Sequence, residues 1–229
     1  IHNQYSFDYF TIKNMRYLFL ICFSYYSFSI SYAQKYNFQC YSIEEGLPRS
    51  SVYDIYEDTN GFLWIGTEEG GLSVFNGVNF HNYNTEDGLL SNTIRCIYED
   101  SKNFFWIGTD KGISFYDGKK FTNYTEKNGL PKVHIRSIQE DKEGNLFFAT
   151  LGNGLYKLKN HITDASNCFD VINTDDGLVN DRIRSLLLDS RGALWVGTDG
   201  GISKINGKLI QNYTKEDGLP SNQILSMFE

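Results

Sequence analysis

Cations are scarce in this chain, and those present are scattered. Its 229 residues hold 21 Lys and Arg against 28 Asp and Glu, giving a formal net charge of -7. A surface that holds nucleic acid needs clustered Lys and Arg to displace counterions from phosphate, and no basic run is present. Nucleic acid is therefore not a partner to expect. Histidine is equally thin: His2, His81, His134 and His161 show no metal-ligand spacing. No GxSxG elbow and no phosphate-cradling glycine loop accompanies them. No catalytic residue, metal site or cofactor is assigned on these grounds. Cysteine gives no framework either. Beyond the first apolar stretch lie Cys40, Cys96 and Cys168, an odd number without CxxC spacing. In register with the repeats described below, Cys96 stands where other copies have Asp54, Ser137, Ser185 and Ser226, which reads as a small buried side chain.

Long hydrophobic runs are also lacking, with one exception. YLFLICFSYYSFSI (17–30) follows Lys13, Met15 and Arg16, and precedes Ser31-Tyr32-Ala33, small residues at the two positions a signal peptidase reads. Fourteen serine-interrupted residues are short for a membrane span, which needs about 20. Cys22 sits too early in the stretch, behind a bulky Ile21, for lipid attachment. The expectation is a signal peptide over 15–33, helical over 15–30, and an exported, periplasmic product. Residues 1–14 precede Met15 and are expected to be translated upstream sequence without a structural role.

No helical period of 3.6 occurs in the remainder, and glycine every few residues would break one. A repeat takes its place. GFLWIGTEEGGLSVFNG (61–77) recurs as KNFFWIGTDKGISFYDG (102–118) and RGALWVGTDGGISKING (191–207), with a weaker EGNLFFATLGNGLYKL at 143–158. Gly46, Gly88, Gly129, Gly177 and Gly218, each before Leu, are spaced by 42, 41, 48 and 41 residues. That period fits blades of four strands or two-helix units. Residue chemistry decides between them.

After each Gly-Leu comes a β-branched or aliphatic run: SVYDIYED, TIRCIYED, HIRSIQED, RIRSLLLD. Each ends on an acid with glycine or asparagine three positions on, the composition of a type I turn. A second strand (FLWIGT and its counterparts), a third (GLSVF) and, after Asn76-Gly77 or its equivalent, a fourth complete the unit. Strands are predicted near 52–57, 62–67, 71–75 and 79–83, and again near 94–99, 104–109, 112–116 and 120–124. Adjacent apolar residues such as Trp64 and Ile65 predict sheets covered on both faces. The fold class is all-β: a partial β-propeller of four-stranded antiparallel blades over 34–229. Its units are about 42–87, 88–128, 129–176 and 177–217, with a fifth begun at 218–229. The final Met227-Phe228-Glu229 falls inside a first strand, so the sequence reads as part of a longer ring.

GLPSNQIL (218–225), the acidic turn and LWVGTDGGIS (194–203) closely resemble the two-component regulator propeller repeat of the exported sensor region of Bacteroidetes hybrid histidine kinases. The resemblance covers 41–229. It implies a ligand-sensing module for polysaccharide breakdown products, with oligosaccharide as ligand. Further blades, an immunoglobulin-like spacer, a membrane span and a histidine kinase would follow, and the full-length form would be a homodimer. Phosphotransfer would belong to that kinase and not to this segment. The competing reading is a stand-alone secreted propeller, either an antibiotic lyase or an adhesion platform. The third unit departs from the pattern: Phe148 is read as replacing the tryptophan and Ala149 the glycine. Phe148 to Phe169 spans 21 positions against 15 from Trp106 to Phe121, an insertion placed at 159–167.

Candidate ligand contacts are few. Arg95, Arg136 and Arg184 recur one residue into each first strand, with Tyr53 and Leu225 breaking the set. They form either a ring of guanidinium groups at one propeller mouth or intra-repeat ion pairs to the neighbouring acidic turn. His161 and Asp164, in the inserted loop, are the other candidates. Trp64, Trp106 and Trp195 lie mid-strand and read as inter-blade core more than as sugar platforms. The pairs Glu57-Asp58, Glu99-Asp100 and Glu140-Asp141 read as turn capping more than as calcium ligands. The acidic connections Thr85-Glu86-Asp87 and Thr174-Asp175-Asp176 read as a solvated rim.

Overall fold

Sixteen strands in four separate meanders account for almost all regular structure in the computed structural model, which describes residues 38–159 and 166–229. The first sheet is β1 (Val52–Glu57), β2 (Leu63–Thr67), β3 (Leu72–Phe75) and β4 (Phe80–Tyr83). The second is β5 (Ile94–Glu99), β6 (Phe105–Thr109), β7 (Ile113–Tyr116) and β8 (Phe121–Tyr124). The third holds β9 (Ile135–Glu140), β10 (Leu146–Thr150), β11 (Leu155–Leu158) and β12 (Phe169–Ile172), and the fourth β13 (Ile183–Leu188), β14 (Leu194–Thr198), β15 (Ile202–Asn206) and β16 (Leu209–Tyr213). Every pairing is antiparallel between sequence neighbours. These are propeller blades, and the strands fall within a residue of the positions expected from the repeat. The segments 1–14 and 15–33, with the expected signal helix, lie outside the described residues.

The first strands β1, β5, β9 and β13 lie side by side, so each blade's inner edge faces the next. This close approach accounts for the glycine of WIGT. A Cβ on Gly66 would come within 2.8 Å of Ile94 Cγ2 in the following blade, and one on Gly197 within 2.8 Å of Ile224 Cγ2. Ile94, Ile135 and Ile183 are fully buried at these seams. Aromatic side chains fill the space further out: Trp64 stacks on Phe105 with centroids 3.7 Å apart, and Trp106 meets Phe148 at 5.4 Å. Burial of such rings from both sides is the main force holding successive blades together.

The acidic turns are framework, divided between two tasks. Asp58 Oδ1 accepts from the backbone N–H groups of Asn60 and Phe62, while its Oδ2 accepts from the Trp64 indole at 2.9 Å. Asp100 with Trp106 and Asp189 with Trp195 repeat the arrangement. The preceding glutamate instead grips the neighbouring blade: Glu99 accepts from Thr59, and Glu140 from Ser101. In the fourth blade Leu188 occupies the glutamate position, and Lys142 Nζ donates to the Ser190 carbonyl across the same seam.

One reading needs correction. The residue replacing tryptophan in the third blade is Phe147, not Phe148: Phe147 pairs with Gln139 as Trp106 pairs with Tyr98. Lacking an indole N–H, this blade gives Asp141 Oδ2 to Asn145 Nδ2 at 2.7 Å. The connections 85–87 and 174–176 are exposed throughout, as expected of a solvated rim. They are single 3-10 turns, matched at Glu126–Asn128 and Lys215–Asp217, in which Asp87 and Asp176 accept from the backbone N–H of Asn84 and Asn173. The glycine that follows is left-handed, as Gly88 at φ 105 shows, a conformation side chains with a Cβ resist.

Candidate ligand-binding site

A β-bulge sets the geometry of the arginines. In the first blade Val52 pairs with Thr67 and Asp54 with Gly66, so Tyr53 is the unpaired extra residue. The same shift isolates Arg95 between Ile94 and Cys96, Arg136 between Ile135 and Ser137, and Arg184 between Ile183 and Ser185. A bulge re-aims its extra side chain away from the two sheet faces. The four bulged residues thus occupy one level of four adjacent inner strands, at the end where the turns between second and third strands also lie.

Their environments differ blade by blade. Tyr53 donates its hydroxyl to Glu68. Arg95 lays its guanidinium 4.2 Å from the centroid of the Tyr53 ring, a cation–π contact, and its Nε is buried without a partner, as is Asp110 Oδ1. Arg184 forks onto Asp199, with Nη2 at 3.1 Å from Oδ2, and Arg182 Nε adds a bond at 2.9 Å. Those hydrogen bonds pull the Asp199 carboxyl down to about 2 and raise Arg184. The third blade has Leu151 where the others have Glu68, Asp110 and Asp199. Leu151 N donates to His134 O as Asp199 N donates to Arg182 O. Arg136 thus has no carboxylate of its own blade at that position. Burial, then the Arg95 and Arg184 charges, push its pKa below the usual guanidinium value.

The ion-pair reading holds for Arg184 alone, and with a partner other than the acidic turn. Arg184 meets Asp199, after the second strand, because Ile183 pairs with Thr198, whereas the acidic turn at Asp189 lies at the far end of the same hairpin beside Leu188 and Leu194. Arg95 and Arg136 form no such pair among the described residues. His161 and Asp164 lie outside the described residues. The hairpin that carries them leaves the sheet at Leu158 and returns at Phe169, the end opposite the arginines.

Trp64 and Trp106 are buried, and Trp195 is half-buried, with Lys204 Nζ 4.5 Å above its ring and Tyr213 stacked on it. Beside it opens a cleft of about 470 Å³ bounded by Met227 and Phe228. A second, of about 440 Å³, lies between the first two blades, lined by Phe62, Phe80, Tyr83 and Tyr116 with Asn79 and His81. The sequence reading missed this cleft, because its aromatic residues are scattered over two units. Cys96 and Cys168 are buried, and burial pushes the Cys96 thiol up, with Asp54 nearby adding to it. Among the described residues no cluster of three or more His, Cys, Asp or Glu is placed to hold a metal. Among them, too, no helix is long and apolar enough to cross a membrane.

The two component regulator propeller model matches residues 46–69, 88–111, 129–152 and 177–200, one segment per blade. No curated protein matches the chain. Among solved structures, the extracellular domain assigned to the hybrid two component system BT3049 of B. thetaiotaomicron is 28% identical, with a TM-score of 0.66 over 78% of this chain and 24% of that one. The corresponding domain of BT4673 from the same organism is 25% identical, with a TM-score of 0.63 over 73% and 25%. This chain thus spans about a quarter of the length of those domains. Virginiamycin B lyase from Staphylococcus aureus shares the fold at 18% identity, with a TM-score of 0.57 over 71% of this chain and 55% of the lyase.

Proposed function

Because the blades of this chain belong to the two-component regulator propeller family, we propose that it is a ligand-sensing segment in the periplasmic sensor region of a hybrid two-component histidine kinase, recognising oligosaccharide. The observation that carries this reading is the recurrence of the family segment in each of four blades, together with the likeness to extracellular domains of hybrid two component systems. Binding and shape are the contributions of this segment. Phosphotransfer belongs to a kinase downstream, and the signal passes as a change in the geometry of a homodimer.

Two measurements test the proposal. The coding sequence beyond Glu229 should encode more blades, a membrane span and a kinase core; termination after a few more blades would instead place the chain with secreted propellers such as the lyase or an adhesion platform. Calorimetry of the complete exported region against a panel of glycan fragments should then detect binding to at least one. An exported region that binds no glycan while a kinase follows leaves the sensor and removes the oligosaccharide.

A further inference from the structure

The geometry points to an oxyanion site at the arginine mouth, where a carboxylate or sulfate group of a ligand is held between Arg95 and Arg136. It rests on the ligand-sensing reading above and narrows the ligand to an acidic one. The four bulged positions are not equivalent in charge. In the fourth blade, Arg184 is paired with Asp199, a carboxylate it shares with Arg182. In the first there is no cation, because Tyr53 stands there and gives its hydroxyl to Glu68. Between them stand Arg95, packed on the Tyr53 ring with its Nε unpaired, and Arg136, whose blade carries Leu151 at the position of Asp199.

Arg95 and Arg136 stand at equivalent bulges of adjacent first strands and both are half-buried, so their like charges disfavour each other and lose hydration, the direction in which the Arg136 pKa lies. Such an arrangement is costly in the empty protein and is relieved by an anion that bridges the pair. Guanidinium presents parallel N–H donors that match the two oxygens of a carboxylate or two oxygens of a sulfate, so the ligand is an oxyanion and not a halide-sized point charge. The tyrosine ring beneath Arg95 fixes that guanidinium in orientation before binding. Leu151 is the residue that leaves Arg136 open: an aspartate there, as at 199, would supply an internal anion in competition with a ligand, whereas Asp110 of the second blade makes no ion pair with Arg95 and has its Oδ1 without a partner.

The test is a calorimetric titration of the full chain with three probes: a trimer of galacturonic acid, a neutral galactose trimer and inorganic sulfate. The acidic trimer should bind and the neutral one should give no measurable heat. Binding of sulfate as strongly as the acidic trimer would make the source of the oxyanion inorganic. Leu151→Asp should weaken acidic binding at least tenfold without lowering the melting temperature, since it pairs Arg136 internally. Arg136→Leu should do the same by removing the guanidinium and its repulsion from Arg95. Acidic binding unchanged in both variants, or equal binding of acidic and neutral trimers, overturns the inference. Neutral glycans binding alone would leave the sensing reading intact while sinking the oxyanion site. Sulfate bound and lost in Leu151→Asp, with no glycan bound, would do the reverse.

Discussion

Glu140 of the third blade reaches the turn of the second, where its carboxylate accepts from both the backbone N–H and the hydroxyl of Ser101, each at 2.7 Å. Glu140 is almost wholly buried, so these charge-assisted bonds are shielded from water and salt. Glu140→Ala removes both bonds across the seam and leaves a cavity where the buried carboxylate stood. The expected loss is about 2 kcal/mol, read as a lower urea midpoint at unchanged slope. Glu57 occupies the same register position in the first blade but is exposed. Glu57→Ala is the control and should shift the midpoint by less than about 0.5 kcal/mol.

Phe148 sits in the wall between the second and third blades, fully buried against Trp106 and Phe169. Phe148→Ala should cost about 3–5 kcal/mol through lost burial and the cavity left behind. Phe147 lies one residue earlier, on the opposite face, packing with Leu186 and Val196 of the fourth blade. Thermal denaturation of Trp106→Ala should show a loss as large as that of Phe148→Ala, since the two rings share one core; a mild effect at either position would contradict this packing.

That pair also shows where sequence alone ran out. The period, the four strands per unit and their limits were legible because Gly-Leu, the acid-to-glycine turn and WIGT recur with fixed spacing. The glycine itself reports a close approach, here to Ile94 and Ile224. The third blade was misread by one residue because FF offers two aromatic residues for one tryptophan position, and only the strand register separates them. The arginines were visible as a recurrence, but not the bulge that turns them from the sheet: nothing in IR distinguishes an unpaired residue from a paired one. The missing acid at Leu151 was equally present in the sequence. It gained meaning only when Asp199, and not Asp189, proved to be the partner of Arg184.

Tryptophan exposure separates the blades experimentally. Trp106 is completely buried, Trp64 is nearly so beneath Phe105 although it lines the cleft between the first two blades, and Trp195 is half-buried beside an open cleft. Iodide should quench the emission of a chain retaining only Trp195, and leave chains retaining only Trp64 or only Trp106 nearly untouched. Equal quenching of all three would mean that the inter-blade faces are open to solvent.

Asp199 supplies the acid sensitivity of the mouth. Its carboxyl titrates at about 2 in the fold, held down first by the Arg184 hydrogen bond and also by Arg182 and Gln223. In the unfolded chain an aspartate titrates near 3.9. A folded pKa below the unfolded one means that the stabilisation is fully present above about pH 4 and is lost as pH falls toward about 2. Asp54 acts with the opposite sign, since burial raises its pKa and its neutral form is the one favoured in the fold. Urea midpoints of the parent chain should therefore fall between pH 4 and 2 relative to those of Asp199→Asn, the difference closing at the acid end. Asp54→Asn removes the opposing term, so its midpoints should fall more steeply with acid than those of the parent. A parent and an Asp199→Asn variant that lose stability in parallel over this range would show that the Arg184 fork contributes nothing to folding, and that Arg184 is as available to a ligand as Arg136.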